Sequence, residues 1–105
     1  MDFKLTEEQS MVKDMCRKFA DNELKPKAAH YDKTHEFPWE HVKKLGEMGM
    51  FGVVYSEEYN GAGMDYPSYA IAVEELSRGC ASTGVIISAH NSLCLSPINY
   101  FASPE

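Results

Sequence analysis

The chain has 105 residues, 16 acidic against ten basic, for a net charge of −6, with 44% apolar and 25% charged residues. The acidic balance, with basic residues scattered and no basic stripe interleaved with aromatics, argues against nucleic acid or an anionic membrane surface as the main partner. The length allows one domain, burying about 60–70% of its unfolded surface, and the longest nearly apolar run, Met48–Tyr55, is far too short for a membrane span.

The first residues, Met-Asp-Phe-Lys-Leu-Thr-Glu-Glu, contain no apolar signal core and are too acidic for a transit peptide, so a cytoplasmic location is expected unless a leader was removed before Met1. Thr6-Glu7-Glu8-Gln9 fits a capping box, in which the Thr6 hydroxyl takes an orphan amide and Gln9 reaches back. Met11, Val12, Met15, Cys16, Phe19 and Ala20 then recur at helical spacing and predict a helix to about Leu24. Pro26 ends that helix or starts a second, mostly polar one over 26–33, with Ala28, Ala29 and Tyr31 to bury.

Phe37-Pro38-Trp39-Glu40 opens a third helix, since proline suits a first turn that needs no N–H from it. Val42, Leu45 and Met48 form its buried face and Gly49 its stop. Phe51–Tyr55 reads as a short extended link, and Tyr55–Met64 as a tight, acidic, glycine-bearing loop. Asp65-Tyr66-Pro67 starts the next helix, with Tyr69, Ala70, Val73, Leu76 and Ser77 on its face through about Arg78. Ser82 or Thr83 caps a further helix carrying Val85, Ile86, Ala89, Leu93 and Leu95, and Pro97 begins another turn with Ile98, Tyr100 and Phe101. Ser103-Pro104-Glu105 reads as the start of yet another helix, so the chain is expected to be a piece of a longer protein. The expected fold is all-α: five to six helices, one short extended link and no sheet, in a single domain spanning 1–105.

Chemistry-bearing patterns are sparse. Gly61-x-Gly63 lacks the third glycine of a dinucleotide fingerprint, because Tyr66 stands there, and lacks the Gly-Lys-Ser/Thr of a P-loop. Glu57 and Glu58 would also repel a phosphate, which leaves the two glycines as positive-φ turn residues. Glu74 and Glu75 are adjacent and point in different directions on a helix, so they read as a solvated face, or as one salt bridge with Arg78. His30, His35, His41 and His90 have no ligand spacing to cysteines or acids. Cys16, Cys80 and Cys94 form no CxxC and read as reduced, buried thiols. Ser88, His90 and Ser92 do not face one another on a helix, and no acid follows to orient the imidazole. What remains is the face made by Ile86, Ala89, His90 and Leu93, which is either plain core or the wall of an apolar pocket shared with parts outside this chain.

Read in order, several segments resemble the N-terminal helical domain of the flavin-dependent acyl-CoA dehydrogenases. They are Leu5-Thr6-Glu7-Glu8-Gln9, Leu45-Gly46-Glu47-Met48-Gly49-Met50-Phe51-Gly52, Tyr55–Met64, Ala72–Arg78, Ala81–Val85 and Ser103-Pro104-Glu105. Tyr55–Met64 is similar to the family's P-E-x-Y-G-G-x-G-[ML] loop, with Ser56 in place of proline and Asn60 in place of the first glycine. Asn tolerates positive φ, so the turn can survive. The stretch Val85–Leu95 is most similar to short-chain, butyryl-type members.

The resemblance implies α,β-dehydrogenation of a short-chain acyl-CoA, with FAD as hydride acceptor and a glutamate taking the α-proton. It places that glutamate in a C-terminal helical domain, and the main flavin contacts in a middle β-domain and a neighbouring subunit, all outside this chain. No catalytic, cofactor-binding or metal residue is therefore expected here. Carried over by position, Ile86, Ala89, His90 and Leu93 face or flank the acyl chain, His90 being the odd polar member. The implied partners are acyl-CoA, electron-transferring flavoprotein and further copies in a homo-oligomer, a tetramer in the family. The absent leader favours a bacterial cytoplasm over the mitochondrial matrix. The competing expectation is a stand-alone helical interaction or oligomerisation module without catalysis.

Overall fold

The computed structural model describes residues 2–104, and among them no strand forms. Helix α1 (Glu7–Phe19) passes through a wide π-helical segment (Ala20–Leu24) into α2 (Lys25–Thr34). Helix α3 (Trp39–Glu47) follows, then a 3₁₀ turn (Glu57–Tyr59) and α4 (Tyr66–Gly79). Helix α5 (Ala81–Ser88) continues through a second π segment (Ala89–Leu95) into α6 (Ser96–Phe101). The all-α expectation holds, but the six helical stretches join into four continuous runs.

Both joins stand before a proline. Pro26 and Pro97 each lie in the first turn of the helix that follows a π segment. A proline inside a helix lacks the N–H for the turn behind it, and its ring presses on that turn's carbonyl. A π turn carries one extra residue and absorbs the misfit, so the chain passes through as a widened helix instead of breaking. The expected helix start at Ser103-Pro104-Glu105 is not seen at Ser103 and Pro104, which are non-helical, and Glu105 lies outside the described residues.

Helices α1 and α4 lie side by side and run parallel. At their N-terminal ends one carboxylate serves both. The capping box forms as expected: Gln9 N donates to Thr6 Oγ1 at 3.2 Å and Thr6 N to Gln9 Oε1 at 3.0 Å. The remaining Gln9 amide hydrogens reach Asp65 Oδ2 at 2.9 Å, while Asp65 Oδ1 accepts from Ser68 N at 2.9 Å and caps α4. Hydrogen bonds to its charged form hold the Asp65 carboxyl below the usual range, Ser68 first. At the other ends, a Cβ built on Gly79 would stand 2.7 Å from Ala20 Cβ, so only a glycine allows this approach.

That closeness corrects the expected face of α4. The side that buries is Ser68, Ala72, Glu75, Leu76 and Gly79; Tyr69, Val73 and Ser77 are half-buried and Ala70 is exposed. Small residues admit α1, Leu76 buries beside them as expected, and Tyr69 and Val73 are turned partly aside. Glu75 is held by Arg78 Nε at 3.3 Å, and Arg78 Nη2 also reaches Asp21 at 2.9 Å. The core around this pair includes Val12, Cys16, Leu24, Leu76 and Ile87.

Helix α3 stops at Gly49, as expected. Gly49 has φ +82°, its N–H donates to Gly46 O at 3.1 Å, and Met50 N donates to Leu45 O at 3.0 Å. Leu45 and Met50, the apolar pair that closes such a cap, are both fully buried. The link 51–55 is a succession of turns, not an extended run: Gly52 N bonds back to Gly49 O and Tyr55 N to Gly52 O, both at 3.4 Å.

The thiols divide. Cys16 is fully buried, and burial pushes it up to about 11, which makes it inert. Cys80 is half-buried and Cys94, contrary to expectation, is exposed.

His41 was not expected in the core, yet it is only 2% exposed, lies edge-on to Phe19 and Tyr31, and has no hydrogen-bond partner at either ring nitrogen. Burial lowers its pKa below 6.5. The folded state therefore binds the proton less readily than the unfolded state. His41's contribution is fully present above pH 6.5 and is lost as the pH falls from there toward the lowered value. Urea denaturation between pH 7.5 and 5 should show stability falling by at most about 1.4 kcal/mol per pH unit from this group. His41→Leu should flatten that slope, and an unchanged slope would assign the acid sensitivity elsewhere.

Candidate functional site

The last helical run and the loop at 55–64 border an open cleft of about 500 Å³, lined in part by Phe51, Tyr55, Asn60, Gly61, His90 and Ile98. Glycines let the loop fold back on itself. Ser56 Oγ accepts from Glu58 N at 3.2 Å and starts the 3₁₀ turn. Asn60 ends it at φ +65°, the positive-φ turn position expected of it. Gly63 also has positive φ, but Gly61 does not. Gly61 is required for a different reason: a Cβ there would fall 2.1 Å from Tyr55 O.

The loop's amides are used internally. Gly61 N donates to Ser56 O (2.9 Å), Ala62 N to Gly52 O (2.8 Å), Gly63 N to Tyr55 O (2.9 Å) and Met64 N to Val53 O (2.8 Å). Glu57 and Glu58 stand exposed beside them. A pyrophosphate needs free amides and positive charge, so this loop does not fit the phosphates of a dinucleotide cofactor.

The four candidate wall residues are placed differently from one another. His90 turns toward the loop, edge-on to Phe51 with ring centroids 5.0 Å apart, and lines the cleft. Ile86 and Ala89 are half-buried, and Leu93 is 77% exposed. The core contact of α5 is made instead by Ile87, while Val85 is exposed.

Regular helical spacing does not reveal the residue that fixes this arrangement. Asn91 is fully buried within the π segment, and all its side-chain polar atoms are paired. Its Oδ1 accepts from Val53 N at 3.0 Å; its Nδ2 donates to Met50 O at 2.9 Å and Ile87 O at 3.0 Å. Tyr55 donates its hydroxyl to the Asn91 carbonyl at 2.5 Å. From the opposite side, Tyr69 Oη donates to Ser88 O at 3.2 Å and lies 2.7 Å from Ser92 Oγ. In the sequence Asn91 stands one turn after Ile87 but among Ser88, His90 and Ser92, so its polarity does not set it apart.

Among the described residues no group of three or more His, Cys, Asp or Glu side chains could hold a metal, and no helix is long and apolar enough to cross a membrane.

Comparison with known proteins agrees with this architecture. Residues 6–105 match the family described as acyl-CoA dehydrogenase, N-terminal domain. Over 105 residues the chain is 58% identical to the short-chain specific acyl-CoA dehydrogenase of Clostridium acetobutylicum; the match takes in the whole chain but 28% of that protein. Butyryl-CoA dehydrogenase from Megasphaera elsdenii superposes with a TM-score of 0.91 at 33% identity, over 98% of this chain and 28% of its own. A chain from a structural study of the electron transferring flavoprotein of Acidaminococcus fermentans superposes at 0.93 with 46% identity, over 98% of this chain and 27% of its own. The chain thus spans little more than a quarter of these relatives, and it belongs to the acyl-CoA dehydrogenase family, as that family's N-terminal helical domain.

Proposed function

We propose that this chain is the N-terminal helical domain, residues 1–105, of a short-chain acyl-CoA dehydrogenase, and that it walls the acyl-chain cavity without carrying the catalytic group. The observation that carries this is the last helical run. It leaves Ile86, Ala89 and His90 only half-covered and Leu93 open to solvent, on a backbone that superposes on butyryl-CoA dehydrogenase. An alkyl chain needs an apolar, water-excluding wall and no reactive group. Ile86, Ala89 and Leu93 supply that wall, with His90 at its rim against Phe51.

In the whole protein, FAD supplies the hydride acceptor for α,β-dehydrogenation of the thioester. The middle β-domain and the C-terminal helical domain supply the flavin contacts and the proton-accepting glutamate. The protein works as a homo-oligomer in a bacterial cytoplasm and passes electrons to an electron-transferring flavoprotein.

A domain exchange tests this. This chain should replace the corresponding N-terminal residues of the Clostridium acetobutylicum relative and give a yellow, flavin-loaded protein that oxidises butyryl-CoA. The isolated chain should bind no flavin. A flavin-loaded chimera inert toward every short-chain acyl-CoA would overturn the assignment, as would stoichiometric flavin on the isolated chain.

A further inference from the structure

We propose that Asn91 is the positioning residue that sets the depth of the acyl-chain cavity, and with it the preference for chain length. The inference rests on the reading that the last helical run walls that cavity. Asn91 lies in the wide turn, with Ala89 and His90 just before it and Leu93 just after. Three groups of the turn at 50–55 converge on it: Met50 O, Val53 N and the Tyr55 hydroxyl. Its fourth bond goes to Ile87 O, the carbonyl that a straight α-helix pairs with the backbone amide of residue 91. The side chain thus takes over a carbonyl at the entrance to the wide turn, while Tyr69 engages the next one, Ser88 O.

The shape that Asn91 holds decides what the wall presents. A π turn carries one residue more than an α turn. If the segment relaxed to α geometry, every later side chain would swing about the helix axis by roughly one residue step, about 100°. Leu93 would leave its present outward position and the depth of the wall would change. Wide turns are short, local departures that persist where side chains support them, and they recur at functional sites. Here the buried support is the Asn91 amide, with no unpaired side-chain atom, while the Tyr55 and Tyr69 hydroxyls hold the same segment from outside. A cavity that measures alkyl length discriminates by about 10- to 200-fold per methylene, so a small displacement of its wall is legible in the specificity.

The test uses the flavin-loaded full-length protein that carries this chain. kcat/KM is measured with butyryl-, hexanoyl- and octanoyl-CoA for wild type, Asn91→Ala and Leu24→Ala. Leu24 is a fully buried residue of the other π segment and serves as the destabilised control. Asn91→Ala should shift the hexanoyl-to-butyryl ratio by about tenfold, whereas Leu24→Ala should lower the melting temperature without moving the ratio. Ratios that stay within about twofold of wild type in both variants would reduce Asn91 to a structural residue and overturn the proposal. If Asn91→Ala does not fold, the ratio is read in Asn91→Asp, which keeps the shape and the acceptor but loses the amide donors. A wild type that oxidises no acyl-CoA would refute the proposed function instead. Hydrogen exchange then decides the positioning role without substrate: amides at 89–95 should lose protection in the variant while those at 7–19 keep wild-type rates, and a uniform loss would overturn it.

Discussion

Gly61→Val is expected to destabilise the fold by about 4 kcal/mol, as overpacking and lost backbone hydrogen bonds act together. The new Cβ would fall 2.1 Å from Tyr55 O and 2.5 Å from Tyr55 C. Both are main-chain atoms, so no side-chain rotation relieves the contact. The loop must open, and opening it breaks the bonds from Gly61 N to Ser56 O, Ala62 N to Gly52 O and Gly63 N to Tyr55 O. At this chain length, a loss of that size corresponds to a melting temperature lower by about 15 °C or more, measurable by circular dichroism. Gly63→Ala makes the comparison sharp. Gly63 has φ +65°, and its Cβ would meet only the flexible Glu57 side chain, at 3.3 Å. Its cost is the left-handed backbone penalty, about 1–2 kcal/mol. Equal effects at the two positions would show that close approach to Tyr55 is not what Gly61 is for.

Gly79→Val is expected to cost about 3 kcal/mol by forcing α1 and α4 apart. The added Cβ would lie 2.7 Å from Ala20 Cβ and 3.0 Å from Ala20 Cα and O, none of which can move without the helix. The helical preference gained over glycine, below about 1 kcal/mol, does not offset this. A double-mutant cycle identifies the cause: Gly79→Ala combined with Ala20→Gly should recover much of what Gly79→Ala alone loses. Additive effects of the two changes, measured by urea denaturation, would place the strain outside the Ala20–Gly79 crossing.

These two glycines mark the limit of what could be read from residue order. The Thr6–Gln9 capping box, the Asp65 start and the Gly49 stop were legible because each is decided by chemistry within a few residues. The family was legible because several such segments occur in order. The buried face of α4 was not legible, because the helix packs through its small residues and counting apolar side chains points to the wrong stripe. The two π segments left no periodic trace; their only sequence signal was a proline just downstream, which reads equally well as a helix end. Of the candidate wall, His90 lies at the cleft, whereas Asn91 carries no local signal of its place. Its role depends on Met50, Val53 and Tyr55, which reach it only through the tertiary fold. His41 was passed over for the same kind of reason, since nothing local says that Phe19 and Tyr31 will close on it.

The parallel pairing of α1 with α4 has a consequence for how the chain is made. Gln9 and Asp65 are 56 residues apart, and the Ala20–Gly79 contact lies farther along still. A helical domain usually closes through neighbours in sequence and folds fast for that reason. Here α1 leaves the ribosome well before α4 and cannot complete its buried face, Val12 included, until α4 has emerged, and the intervening chain must be brought back in a loop whose closure costs entropy. During synthesis the apolar side of α1 therefore waits in water, the state in which a nascent chain is most open to aggregation and to chaperones. The last contact to form at that seam is a glycine against an alanine, so closure of the α1–α4 seam waits for residue 79.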